Sequence, residues 1–198
     1  MKIGLITGGG DAPGLNGIIE SASRCLLLNG CDVVGICDGF EGIFNKNTIP
    51  MSIQSLDGIH SQAGTYIGTS NRSGIAGRED EFVKKSQELG LDGLIVAGGD
   101  GTFRLLEPVR DRINIIGVPK TIDNDLPGTD ATFGYDTACS VVCEAVDSLR
   151  ATAQAHKRVI IVEVMGRTAG WIALGGGIAS YADAILIPEI SFKGSEFK

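Results

Sequence analysis

Three short segments carry glycines, charged side chains or both in the spacing that chemistry on a phosphate would need. The first is Thr7-Gly8-Gly9-Gly10-Asp11-Ala12-Pro13-Gly14-Leu15-Asn16, set between an apolar run and a helical pattern. Glycines let backbone N–H groups converge, and a helix N-terminus adds partial positive charge, so the segment reads as an anion cradle. The plainer reading is a tight strand-to-helix turn. Neither GxGxxG nor GxxxxGK[ST] is present in it. The second segment, Gly98-Gly99-Asp100-Gly101-Thr102, adds a carboxylate to the glycines. A Mg²⁺ ion carried on a nucleotide takes one or two protein carboxylates together with phosphate oxygens. Asp100 is placed to supply one, or else to cap the next helix. The third is Pro119-Lys120-Thr121-Ile122-Asp123-Asn124-Asp125. One of its carboxylates can take a proton from an attacking hydroxyl, and the lysine can neutralise a transferred phosphoryl group. Opposite charge from Lys120 and a bound Mg²⁺ predicts an Asp123 that stays ionised at neutral pH. In a fourth stretch, Glu163-Val164-Met165-Gly166-Arg167, the arginine can clamp a phosphate bidentately or form a surface ion pair.

These segments need elements that bring them together. Apolar runs at 3–7, 32–37, 93–97, 113–118, 158–165 and 184–187 read as buried strands. Helical spacing covers 14–29, 79–89, the stretch after Gly101 to about 110, 134–155 and 168–180, while 38–75 reads mostly as loop. The βαβ alternation, with continuous apolar strands, predicts an α/β fold: a Rossmann-like three-layer αβα arrangement around a mostly parallel sheet. In such sheets ligands bind at the carboxyl ends of strands, where the first three segments fall. A domain boundary is expected near 137, giving domains 1–137 and 138–198.

Composition narrows the function. The chain has 198 residues, 43% of them hydrophobic, which excludes disorder, and 29 are glycine. Seventeen basic against 24 acidic residues leave a net charge of −7, a poor basis for nonspecific nucleic-acid binding. No run approaches the length of a membrane span, and residues 1–11 do not form a signal peptide. Five cysteines without a CxxC pair predict buried free thiols in a reducing cytoplasm and no zinc site.

Together GGGDAPGLN (8–16), DGFEG (38–42), GGDGT (98–102), PKTIDND (119–125), GTD…TFGYDTA (128–138) and VEVMGR (162–167) closely resemble the phosphofructokinase family, in family order and spacing along the whole chain. The resemblance implies that fold, and Mg²⁺-dependent phosphoryl transfer in glycolysis from ATP or pyrophosphate to the 1-hydroxyl of fructose 6-phosphate. It implies that Gly9 approaches the donor phosphates and that Asp100 holds Mg²⁺. Gly101, Thr102 and Phe103 would line the nucleotide, with Arg72 and Ser73 also on the donor side. Thr121 and Asp123 would contact the reacting end of the sugar, Asp123 as base and Lys120 beside it. Met165, Gly166 and Arg167 would contact the sugar phosphate. Arg158 matches an arginine lent to a neighbouring subunit, which implies a homo-oligomer, dimer or tetramer, in the full-length form.

Gly101 leaves room for the α-phosphate of ATP, where pyrophosphate users usually carry aspartate; Lys120 is shared with those users. The expected donor is therefore ATP, with a pyrophosphate-dependent phosphotransferase, or a nucleotide-binding fragment without turnover, as the alternatives. A kinase of NAD or lipid shares GGDGT but not the other segments. The sequence departs from the family at Asn71, where the donor arginine falls one place later at Arg72, and at Glu20, whose charge would repel a diphosphate effector. The chain stops at Lys198, where the family runs on into further sugar-phosphate groups, so its last residues are expected to be a segment cut in mid-domain.

Overall fold

The structure, a computed structural model, describes residues 1–72 and 74–192. The chain divides into two compact units, Met1–Lys120 and Thr121–Lys198. The boundary expected near 137 falls just inside a helix that starts at Tyr135.

The first unit runs β1 (Lys2–Thr7), α1 (Leu15–Leu28), β2 (Asp32–Ile36), α2 (Glu41–Asn45), β3 (Thr48–Pro50), α3 (Ile53–Leu56), α4 (Glu79–Glu88), β4 (Gly93–Gly98), α5 (Asp100–Leu106) and β5 (Ile115–Thr121), with 3₁₀ turns at Ile59–Ser61 and Glu107–Val109. The strands order as β3-β2-β1-β4-β5. β1 is parallel to β2 and β4, and β4 to β5, with Leu5 beside Ile95 and Ala97 beside Val118. The exception is β3, an antiparallel edge strand ending at Pro50, inside the stretch expected to be mostly loop. Proline is tolerated at an edge because no ladder hydrogen bond is lost there.

Side chains alternate across a strand, so each strand feeds two cores. Ile6, Ile36, Leu94 and Val96 meet Ile43, Phe82 and Leu106 from α2, α4 and α5. Leu5 and Val33 meet Ile19, Leu56 and Ile59 on the opposite side. Helices on both faces explain why the strands read as unbroken apolar runs. This is the expected three-layer α/β fold. Among the described residues no helix is long and apolar enough to cross a membrane. The cysteines are free but not buried: Cys25 is exposed and the other four are partly so. They lie on helix flanks and strand ends, not in either core.

Glu20 points inward, 5% exposed. Its carboxylate accepts the His60 backbone N–H at 2.9 Å, meets His60 Nδ1 at 2.8 Å, and accepts Arg24 Nη1 at 2.9 Å. These bonds, the His60 N–H foremost, hold its pKa down to about 2. Glu20 thus fastens α1 to the 3₁₀ turn, its charge already matched. A depressed carboxyl pKa stabilises the fold above the unfolded value, near 4.5, and that contribution is lost as pH falls towards about 2. Glu20→Gln is expected to lower the melting temperature at neutral pH and to reduce its further fall on acidification through that window. Thermal melts followed by circular dichroism check this; an unchanged acid dependence would remove the role.

In the second unit come β6 (Phe133–Gly134), α6 (Tyr135–His156) and α7 (Trp171–Ala179). Residues 121–132 form a closed loop: the Thr132 hydroxyl donates to the Thr121 carbonyl at 2.6 Å, and its N–H donates to Asn124 Oδ1 at 2.9 Å. Glycines let α7 approach α6, for a Cβ on Gly176 would lie 2.6 Å from Val142 Cγ1. The runs 158–165 and 184–187, expected as strands, do not pair. Val159 is 91% and Ile161 88% exposed, and α6 buries no residue. An apolar run becomes a strand only when another strand takes its backbone hydrogen bonds, and the described residues offer none there.

Candidate active site

In the first unit the ends of β1, β4 and β5 place the glycine loop, the Asp100 loop and Lys120 side by side. Thr102 is the wedge between the two loops. A Cβ on Gly98 would lie 2.4 Å from Thr102 Cγ2, and one on Gly8 2.9 Å from it. Thr102 is therefore buried in packing, and Phe103 likewise packs against Gly117 of β5. Gly101 is different: it is exposed, and a Cβ there would meet nothing within 4 Å among the described residues.

The glycine loop is a narrower cradle than its composition suggests. Gly8 N–H donates to the Ala97 carbonyl at 2.8 Å and Gly9 N–H to the Ser70 carbonyl at 3.1 Å. Gly9 keeps φ +83°, a conformation that favours glycine. A Cβ there would sit 3.5 Å from both Lys120 Nζ and Thr102 Oγ1. Lys120 is 4% exposed, and its Nζ donates to the Gly10 carbonyl at 2.8 Å. Burial pushes its pKa down, and Asp11 pulls it back. A buried cation under a glycine loop suits an anionic ligand.

Asp100 sits exposed at the head of α5 and is held by Arg104, whose Nε lies 2.9 Å from Oδ1 and 2.8 Å from Oδ2. No group of three His, Cys, Asp or Glu that could hold a metal ion occurs among the described residues. That donor set fits a Mg²⁺ ion delivered on donor phosphates, which asks for one or two carboxylates. Such an ion would displace the exposed guanidinium of Arg104, a weakly held partner. The Asp100–Arg104 spacing, i to i+4, was readable in the sequence. Arg72 is exposed, and its N–H donates to Ser70 Oγ at 3.2 Å. Ser73 lies outside the described residues.

At the start of the second unit Thr121 ends β5, and the loop after it carries Asp123 and Asp125. Asp123 N–H donates to Thr121 Oγ1 at 3.2 Å. Asp123 Oδ1 is buried with no hydrogen-bond partner among the described residues. Burial and the neighbouring Asp125 push its pKa up, while Arg167 opposes them. Within the protein, desolvation and Asp125 together outweigh the attraction of Arg167, so the shift runs opposite to the one that neighbouring cations alone would give. Arg167 follows Gly166, which is buried at φ +138°, and itself takes φ +57°. The Ala169 N–H donates to the Gly166 carbonyl at 2.8 Å, closing this turn. Met165 is exposed, as is Arg158 just beyond α6.

Several anchoring residues escaped the sequence reading. Asn16, 5% exposed, donates to the Gln62 carbonyl at 3.1 Å and accepts the Tyr66 N–H at 2.6 Å. Thr7 Oγ1 donates to the Gly68 carbonyl at 2.6 Å, and Thr69 Oγ1 lies 2.8 Å from the Gly9 carbonyl. No local pattern marks them, because their partners lie about 50–60 residues away in the chain.

The sequence matches the family described as Phosphofructokinase over residues 2–198. It is 44% identical to the ATP-dependent 6-phosphofructokinase 2 of Clostridium perfringens, over 96% of this chain and 57% of that protein. It is also 44% identical to the pyrophosphate–fructose 6-phosphate 1-phosphotransferase of Streptomyces coelicolor, over 97% of this chain and 58% of that one. Among solved structures it resembles phosphofructokinase from Saccharomyces cerevisiae, with a TM-score of 0.86 and 35% identity over 95% of this chain and 29% of that chain. The chain therefore spans somewhat more than half the length of these curated relatives.

Proposed function

The chain belongs to the phosphofructokinase family, and from that membership we propose that it carries the donor-binding residues and the reacting loop of a 6-phosphofructokinase. The whole protein moves the γ-phosphoryl group of ATP to the 1-hydroxyl of fructose 6-phosphate, as a glycolytic, cytoplasmic homo-oligomer. The observation that carries the reading is Asp123: a carboxylate oxygen that is buried, without a partner among the described residues and raised in pKa is a base awaiting a proton donor. As the hydroxyl oxygen bonds to the γ-phosphorus and the bond to the ADP oxygen breaks, the hydroxyl proton passes to Asp123. Lys120 balances donor charge beneath the glycine loop, and Arg167 takes the sugar phosphate bidentately. Asp100 would hold Mg²⁺, which when bound draws charge from the donor phosphates.

ATP is favoured because Gly101 is exposed with open space where a side chain would stand. A Cβ there meets no described atom within 4 Å, so an aspartate is not excluded by packing and would act chiefly on the donor. Lys120 and the Streptomyces coelicolor relative favour the pyrophosphate-dependent alternative. Fructose 1,6-bisphosphate formation by the whole protein, measured with each donor, tests both readings. Gly101→Asp is expected to lower the ATP-to-pyrophosphate ratio of kcat/KM by about tenfold or more, through crowding and like charge. Transfer from neither donor would overturn the function; an unmoved ratio would overturn the donor argument alone.

A further inference from the structure

With two glycine N–H groups tied internally, the glycine loop's remaining capacity for a phosphate depends on what aims the others. Gly10 and Asp11 are exposed, and neither N–H donates a hydrogen bond among the described residues. In a trans peptide the N–H points opposite to the preceding carbonyl. Two carbonyls in the loop are pinned. Lys120 Nζ holds that of Gly10 at 2.8 Å, which turns the Asp11 N–H the other way. Thr69 Oγ1 sits 2.8 Å from the Gly9 carbonyl and 3.1 Å from the Thr7 carbonyl, which turns the Gly10 N–H away from Thr69.

Thr69 is itself held at both ends of its segment. The Ser70 carbonyl takes the Gly9 N–H, and the Gly68 carbonyl takes the Thr7 hydroxyl. Further back, Asn16 secures Gln62 and Tyr66. The segment 62–70 is thus stitched along the glycine loop, and among the described residues the Thr69 hydroxyl is the side-chain group that hydrogen-bonds the peptide bearing the Gly10 N–H.

We propose that Thr69 is the positioning residue of the phosphoryl-donor loop: its hydroxyl, shared between the Thr7 and Gly9 carbonyls, sets the Gly9–Gly10 peptide plane and so aims the Gly10 N–H at a donor phosphate. The inference rests on the donor-binding function proposed above. It does not depend on whether the donor is ATP or pyrophosphate, since both present the same phosphate oxygens.

The test compares Thr69→Val, which keeps the shape and removes the hydroxyl, with Thr69→Ser, which keeps the hydroxyl, in the whole protein. Thr69→Val is expected to raise the donor KM about tenfold or more, with kcat within about threefold, because the lost contact orients a binding N–H. Thr69→Ser is expected to restore the donor KM, and amide exchange at 8–10 to quicken in the Val variant alone. A donor KM unmoved by Thr69→Val, or a Ser variant that fails to rescue, would overturn the role. If the parent uses neither MgATP nor pyrophosphate, the function itself fails and the inference with it. Should the Val protein not fold, Thr69→Ala removes the same hydroxyl without setting a methyl against the two carbonyls and carries the same expectation.

Discussion

Asp123→Asn in the whole protein is expected to cut turnover by about 10²–10⁴-fold, the usual cost of removing a general base, with donor affinity nearly unchanged. The substitution keeps the shape of the side chain and its hydrogen bonding but cannot accept a proton. The structure adds a second signature. Burial and Asp125 raise the Asp123 pKa, against the pull of Arg167. The acid limb of kcat/KM, which reports the free enzyme, should therefore lie above the ordinary aspartate value of about 3.9. Asp125→Asn removes the neighbouring carboxylate and should move that limb down. Steady-state rates across pH, with donor binding followed by calorimetry, check all three points. Turnover within a few-fold of the parent in Asp123→Asn would make Asp123 a structural turn residue and shift the role of base to Asp125.

Gly166→Ala is expected to damage both stability and acceptor binding. Gly166 sits at φ +138°, and a Cβ there would lie 2.3 Å from the Ala169 carbonyl oxygen. That oxygen is backbone and cannot swing aside as the end of a flexible side chain could. Holding an L residue in such a conformation costs of order 1–3 kcal/mol before the clash is counted. For a chain of this size that is a fall of about 2–4 °C in melting temperature per kcal/mol. The chain escapes the clash by shifting the turn that presents Arg167. A displacement near 1 Å at a positioning residue can cost about 10²-fold in rate. Thermal melts and the KM for fructose 6-phosphate read the two effects separately. Gly77→Ala is the control: its φ is +76°, but a Cβ there meets nothing within 4 Å among the described residues. It should lose some stability and leave the acceptor KM alone. Equal stability losses in the two variants would show that the clash is relieved without cost.

What the sequence determined by itself was local. The apolar runs of β1, β2, β4 and β5, the glycine, proline and aspartate punctuation after them, and the helical spacing of α1, α4 and α6 were all readable, since each depends on residues within one turn or one strand. The glycine loop, the Asp100 loop and the Lys120 segment therefore fall at strand ends on local pattern alone. Tertiary structure decided whatever needs a distant partner. Two runs as apolar as β4, at 158–165 and 184–187, stay unpaired, because a strand exists only when another strand meets its hydrogen bonds. Which glycine amides remain available was decided by Ala97 and Ser70, roughly 60–90 residues from the loop they tie. Asp123 has cations near it in sequence, yet its pKa rises, because charge proximity is visible in a sequence and desolvation is not. Thr69 looked like any loop threonine, and only the fold that lays 62–70 along the glycine loop gives its hydroxyl two carbonyls to hold.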